Sequence, residues 1–340
     1  MVSKLLFGGA AAALLALLPV AAQAQSPAEF YKGKNVDLMI GYSVGGGYDI
    51  YGRIVARHMG KHIPGNPTVV PKNMEGAGSL RLVNWLYNVA PKDGSVFATI
   101  GRGTAFNPIL GIPGAQFEGP KFTWIGSAND EVSICATWHT TGVNKFEDLL
   151  TKEIAVGGTG ASDDTVQFPK VLNAVLGTKL KIVSGYPGGN DAVLAMERGE
   201  VHGRCGWSWS SVMSTHKNWV DEKKINVLLQ LALEKHPDLP NVPLVTDLAK
   251  TDEQRRILRL IFARQVMGRP FVAPPGIPQD RAEALRTAFM ATMKDKEFLA
   301  EAEKAGLEIT AVSGEKIQNL VQEIYDTPPE VAKKAAEIVK

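Results

Sequence analysis

The 340-residue chain balances 37 Lys and Arg against 35 Asp and Glu for a net charge of +2, with 45% hydrophobic and 21% charged residues. Those proportions are globular rather than disordered, and the near-neutral balance excludes a nucleic-acid binder built on a basic stripe. The length accommodates two domains of ordinary size.

The first element is a leader. Lys4 precedes an unbroken small-apolar run from Leu5 to Leu18, closed by Pro19 and followed by Ala22-Gln23-Ala24. A basic start, an apolar stretch too short to span a bilayer and an Ala-x-Ala site predict a cleavable secretory signal over residues 1–24. No cysteine stands near the cleavage point, so no lipid anchor is expected. Later in the chain no apolar run approaches membrane length, and the exported product is expected to be soluble.

Short β-rich runs then alternate with helical patterns, the signature of parallel α/β architecture. Strands are predicted at 36–40, 68–73, 96–100, 122–126, 132–137, 154–156, 181–183, 201–206 and 225–231, and a buried strand at 265–273 stopped by Pro274-Pro275. Helices are predicted at 49–62, 79–89, 146–150, 164–176, 190–198 and 251–263. The last 60 residues read as helical, with breaks at Thr310–Gly314 and Pro328-Pro329. Cys135 and Cys205 lie in apolar, strand-like surroundings, where one bridge and two buried thiols are both open readings.

In open α/β sheets a ligand lies beyond the carboxyl ends of the strands, where loops lead into helix N-termini. The first such loop is Ser43-Val44-Gly45-Gly46-Gly47-Tyr48-Asp49. Its glycines let backbone N–H groups converge, and the following helix adds unpaired N–H groups and its positive dipole end, which favours an anion. Asp49 suits the N-cap. The second is Gly157-Gly158-Thr159-Gly160-Ala161-Ser162-Asp163-Asp164-Thr165, in which at least one of Ser162, Asp163 and Asp164 is an ordinary cap. One such loop per lobe would hold a carboxylate through backbone amides, without needing an arginine. A third segment, Ser184-Gly185-Tyr186-Pro187-Gly188-Gly189-Asn190, reads equally as a turn or as a wall with Tyr186 in it. Trp207 and Trp209 would share a face if the chain is extended there.

Strand, Gly-Gly-Gly-x-Asp, helix, then Asn73-Met74-Glu75-Gly76-Ala77-Gly78-Ser79 and Ala90-Pro91-Lys92-Asp93-Gly94, follow one another in a recognisable order. The Gly157–Thr165 loop, Tyr186-Pro187-Gly188-Gly189 and Phe271-Val272-Ala273-Pro274-Pro275-Gly276-Ile277-Pro278 continue it. This ordered set resembles the extracytoplasmic solute receptors of tripartite tricarboxylate transporters, the TctC or Bug proteins, across nearly the whole exported chain. The resemblance implies a two-lobed type II periplasmic-binding-protein fold with an interlobe cleft. It divides the chain into a first lobe at 25–130, a second lobe at 131–236 and a return segment with C-terminal helices at 237–340. It also implies a periplasmic monomer that binds a small carboxylate, two membrane subunits as partners, and neither enzymatic activity nor cofactor nor metal. The implied ligand-lining set is Tyr42, Ser43, Val44, Gly45, Gly46, Gly47, Tyr48, Asp49, Gly78, Ser79, Arg102, Gly103, Thr104, Thr159, Gly160, Ala161, Ser162, Asp163, Asp164, Thr165, Tyr186, Gly188 and Trp207.

The chain departs from that family at Tyr42-Ser43-Val44, where prolines are usual, and at Asp163-Asp164, where Ser and His are usual. His202 stands where an acidic residue often follows. Two carboxylates near the pocket repel a multiply charged anion unless they point away as caps, and Tyr42, Tyr48, Tyr186 and the Trp207/Trp209 pair suit an aromatic or amphipathic acid. Two rival readings remain. Gly41-Tyr42-Ser43-Val44-Gly45 has the form of a serine-hydrolase nucleophile elbow, and a receptor could present its closed form to a signalling partner. His58 and His62, four apart, lack the Glu of a zinc protease and read as surface histidines.

Overall fold

The computed structural model describes residues 25–340, so the leader expected over residues 1–24 lies outside the described residues. Two sheets organise the chain. The first contains β1 (Asn35–Ile40), β2 (Thr68–Asn73), β3 (Val96–Thr99), β4 (Thr123–Ser127), β10 (Pro270–Ala273) and β11 (Val312–Ser313), in the order β11-β4-β10-β3-β1-β2. The second contains β5 (Ser133–Trp138), β6 (Ile154–Gly158), β7 (Leu180–Ser184), β8 (Gly203–Ser208) and β9 (Ile225–Leu231), in the order β7-β6-β8-β5-β9. The chain leaves the first sheet after β4 and rejoins it at β10. This is the two-lobed α/β architecture that the resemblance implies.

Each sheet has a parallel half and an antiparallel half. β1 runs parallel to β2 and β3, and β10 is antiparallel to β3 and β4. β6 runs parallel to β7 and β8, whereas β5 is antiparallel to β8 and β9. Parallel strands need crossover helices, and these supply apolar faces for burial. In the helix Gly47–Met59, Tyr51, Val55 and Met59, spaced by four, are fully buried. In Leu80–Asn88 the buried positions are Leu80, Leu82, Val83 and Leu86, again one helical face. The helices Gln279–Thr292 and Gly314–Tyr325 cover β4, while Pro329–Val339 packs on Asp164–Val171 and Asp252–Phe262.

Four local expectations change. The run 265–273 is a strand only over Pro270–Ala273, and Ala263–Met267 is a single 3-10 turn. Arg264, Gln265 and Arg269 are buried there at 1%, 3% and 0% exposure, and turning their side chains inward interrupts the strand. The helix expected at 164–176 is α-helical to Val171 and π-helical over Leu172–Leu176. Pro169, inside it, has no N–H for the ladder and crowds the preceding turn, which favours a local rearrangement. The strand expected at 201–206 ends at Ser208 and Trp209 opens a helix, so Trp207 and Trp209 do not share a strand face. Finally, the break at Thr310–Gly314 contains β11, an edge strand against β4.

Cys135 on β5 stands opposite Cys205 on β8, and a disulfide joins them. Both residues are fully buried. Of the two open readings for this pair, the structure has the bridge.

Candidate functional site

The carboxyl ends of β1, β6 and β7 all open toward the gap between the two sheets. Each leads into a helix of eight or more residues: Gly47–Met59, Asp164–Val171 and Gly189–Glu197. The first N–H groups of a helix have no intrahelical acceptor and carry its positive dipole end. Three such ends converge on one cavity of about 50 Å³.

The expected residues fall into three groups. Tyr42, Gly45, Gly46, Gly47, Tyr48, Arg102, Thr159, Asp163, Asp164, Thr165 and Trp207 line the cavity. Ser43, Gly78, Gly160, Ser162 and Gly188 instead form the seam where the two halves touch. Ser162 donates its hydroxyl toward the carbonyls of Ala77 and Gly78, and a side chain at Gly188 would run into Ser43. Val44, Asp49, Ser79, Gly103, Thr104, Ala161 and Tyr186 lie off the cavity. Val44 is 62% exposed, and Ser79 and Thr104 bond to Gly101.

The glycine loop owes its shape to particular positions. Gly45 has a φ of +85°, a conformation that favours glycine. A side chain at Gly47 would collide with Ser211 and meet Arg269. The cap is Gly46, not Asp49. Asp49 sits in the first turn, where its carboxylate accepts the Gly45 N–H at 2.9 Å and pairs with Arg53 at 2.9 Å. These bonds hold its carboxyl below the usual range against the opposing effect of burial. The loop is thus braced from within, and Gly46, Gly47 and Tyr48, whose N–H groups fall at the helix start where no intrahelical acceptor exists, line the cavity.

Asp163 and Asp164 do not confront a ligand as two bare charges. Asp163 caps its helix by accepting the Thr165 N–H at 2.9 Å, and its other oxygen accepts the Tyr42 hydroxyl from the opposite lobe. Burial, and then Asp163 itself, push the Tyr42 phenol well up, so it remains a donor. Asp164 lies between Arg102 at 2.9 Å and Arg264 at 3.1 Å. Burial pushes its carboxyl up, and the two guanidinium groups oppose that shift.

Two of the arginines are what the sequence reading missed. Arg204 and Arg269 line the cavity beside the expected Arg102, so backbone amides are not the only anion donors here. Arg269 donates to Ser208, Ser210 and Ser211 at 2.7–3.0 Å, pairs with Glu131 at 3.3 Å and lies over the Tyr48 ring. Gly189, Asn190, Val193, Gly206, Ser208, Ser211, Thr215 and His216 complete the unexpected lining. A charged residue inside an apolar run, as at Arg204 and Arg269, was the available signal. A charge buried in a strand needs a partner or a purpose.

The hydrolase elbow fails on geometry. Ser43 Oγ lies 2.8 Å from Asp191 Oδ2 and 3.0 Å from Asn190 Oδ1, with no imidazole among its partners. The histidine pair on the first helix is also accounted for. His58 bonds Glu301 at 2.6 Å and His62 bonds Asp295 at 3.0 Å. His58, Asp295 and Glu297 place ligand atoms within 4.8 Å of one another, yet the Lys61 ammonium already neutralises both carboxylates at 2.9 and 2.6 Å. No described helix is long and apolar enough to cross a membrane.

Fold and cleft together define a two-lobed periplasmic-binding-protein architecture, and the comparisons agree. The periplasmic binding protein BugD superposes with a TM-score of 0.72 at 20% identity, covering 90% of this chain and 98% of that one. MatC from Rhodopseudomonas palustris with bound malate superposes at 0.70 and 17% identity, covering 91% and 99%. No protein-family model matches the chain. In sequence it is 26% identical to the UPF0065 protein in the TAR-I ttuE-ttuC' intergenic region of Agrobacterium vitis, over 83% of this chain and 78% of that one. The structural neighbours are Bug/TctC-type binding proteins, which bears out the resemblance read from the motif order.

Proposed function

We propose that the protein is an exported solute receptor that closes its two lobes on a small carboxylate, performs no chemistry on it and delivers it, as a monomer, to the two membrane subunits of a tripartite tricarboxylate-type transporter. The observation that carries this reading is the convergence of three helix N-termini and three arginines on one interlobe cavity. Such a constellation stabilises an anion through backbone N–H groups and charge-assisted hydrogen bonds. Malate in MatC, a neighbour in fold, is a ligand of this chemical class.

The site also has what release requires. Recognition rests on contacts drawn from both lobes, including Tyr42 with Asp163 and Ser162 with the Ala77–Gly78 backbone. Opening the lobes therefore dismantles the site, as expected of hinge closure around a ligand. A thermal-shift screen of the purified protein against mono-, di- and tricarboxylates, amino acids and neutral sugars tests the reading. A ligand that binds only the folded state raises the melting temperature by mass action. A rise with one acid class supports the proposal; a rise with sugars alone, or with none of the acids, refutes it.

A further inference from the structure

Three arginines and two aspartates line the cavity. Arg102 is committed to Asp164, Gln265 and Ser208. Arg269 is committed to Glu131 and three serines. Arg264, behind the lining, also serves Asp164. Counting Glu131 with Asp163 and Asp164, four guanidinium groups face three carboxylates, and the surplus positive charge is Arg204.

Arg204 is built in, not draped over the surface. It sits in β8 beside Cys205, which the disulfide ties to β5. Its one hydrogen bond to the protein runs from Nη1 to the Gly189 carbonyl at 3.1 Å, and its buried Nε has no partner. No carboxylate lies within ion-pairing distance of it among the described residues. The guanidinium carbon is 5.5 Å from the centre of the Trp207 ring, so one face is fixed. Gly189, the first residue of its helix, allows the approach, because a β-carbon there would lie 2.5 Å from Nη2. Burial lowers the Arg204 pKa to about 10 and Asp163 opposes that shift, leaving the group protonated at neutral pH. An arginine in such a place retains donors for a planar anion.

We propose that Arg204 anchors the ligand's carboxylate and sets this receptor for a compact monocarboxylate in preference to di- and tricarboxylates. The inference rests on the solute-receptor reading above. One negative charge neutralises the surplus at Arg204. A second would be buried near Asp163 with no uncommitted cation to meet it, and an unpaired buried charge is costly. Size points the same way. A cavity of about 50 Å³ has room for only a few waters, each needing at least roughly 10–15 Å³, which favours a short acid over citrate. Hydroxyls from Ser208, Ser211 and Thr159 suit a polar substituent beside the carboxylate.

Isothermal titration of the purified protein and its R204Q and R204K variants with lactate, 3-hydroxybutyrate, malate and citrate tests this. For the wild type, one of the two monocarboxylates should bind about tenfold or more tighter than malate or citrate. R204Q should weaken that binding by roughly tenfold to a hundredfold, the loss of a charged hydrogen bond. R204K, which keeps the charge without the planar fork, should fall between. Should R204Q fail to fold, judged by circular dichroism, R204K decides the anchor role, and unchanged affinity in R204K overturns it. Tight malate or citrate binding that survives R204Q overturns the inference and leaves the solute receptor standing. Binding of no acid at all overturns both.

Discussion

Replacing Gly160 with alanine should hold the two lobes apart while leaving each lobe folded. Gly160 follows β6 in the second half of the molecule. A β-carbon there would lie 2.7 Å from the Ala77 carbonyl carbon, 2.9 Å from the Gly78 nitrogen and 3.1 Å from the Ala77 Cα, all backbone of the other lobe. Backbone cannot swing aside as the end of a flexible side chain can. Gly160 is not among the residues of positive φ, so alanine is compatible with its own conformation and the penalty falls on closure. Overpacking of this kind costs about 1–3 kcal/mol. The displaced seam also loses the Ser162 hydroxyl bond shared between the Ala77 and Gly78 carbonyls, about 1 kcal/mol. Together these destabilise the closed form by about 2–4 kcal/mol, which weakens any ligand requiring closure by roughly thirtyfold to a thousandfold. Titration calorimetry with the acid found in the thermal screen reads the loss, and the melting temperature without ligand reports whether the lobes stay intact. A G160A protein that binds within about threefold of wild type would refute the reasoning, because the seam would then not be part of the liganded state.

Tyr42→Phe removes the hydroxyl that reaches across to Asp163; losing a hydrogen bond to a charged acceptor costs about 1.5–3 kcal/mol. Calorimetry should show weaker binding with little change in unliganded stability, and an unaltered Kd would count against the latch. The disulfide closes a sequence separation of 70 residues, for which loop entropy alone gives about 4 kcal/mol. Reduction, or the paired change Cys135→Ala and Cys205→Ala, should lower the midpoint of urea unfolding accordingly, and identical midpoints for oxidised and reduced protein would contradict it. Burial, with the Arg204 charge adding to it, lowers the His216 pKa from 6.5 to about 4. The unfolded chain therefore binds a proton below pH 6.5 that the folded chain refuses until about 4. Its contribution to stability is fully present above 6.5 and is lost as the pH falls through that window. Urea melts of wild type and His216→Gln at pH 7 and pH 4.5 should diverge, with the variant less sensitive to acid; parallel losses would exclude His216 as the cause.

The order of elements was legible because hydrophobic period and turn chemistry are local. Val36–Ile40, the triple glycine and the helix behind it specify strand, loop and helix within one short stretch ending at Met59, and the second loop repeats the scheme at Gly157–Thr165. What escaped the sequence was pairing over long distances. Asp163 and Asp164 read as a pair of repelling charges or as caps, and one of them is indeed a cap. Their real partners, Tyr42, Arg102 and Arg264, stand about 60 to 120 positions away along the chain. The cysteines posed the same problem, since apolar surroundings suit a thiol and a bridge equally until β5 and β8 are placed side by side.

The run from Gln265 to Ala273 shows how such information hides. Its apolar residues predict a buried strand, and β10 does form there. Arg269, which interrupts the pattern, and Arg264, just before it, are buried as deeply as Met267, Phe271, Val272 and Ala273. Hydrophobic pattern analysis treats such residues as noise, but burying a guanidinium is tolerable only when carboxylates and hydroxyls surround it. Arg269 therefore implies Glu131 and the serines that follow β8, and Arg264 implies Asp164. Completing each pair in turn leaves Arg204 without a carboxylate. A half-buried cation without a carboxylate partner in a cleft between two lobes is the place where a ligand's charge belongs. The class of ligand thus follows from which arginine the fold leaves unmatched, not from the glycine loops that reveal the fold.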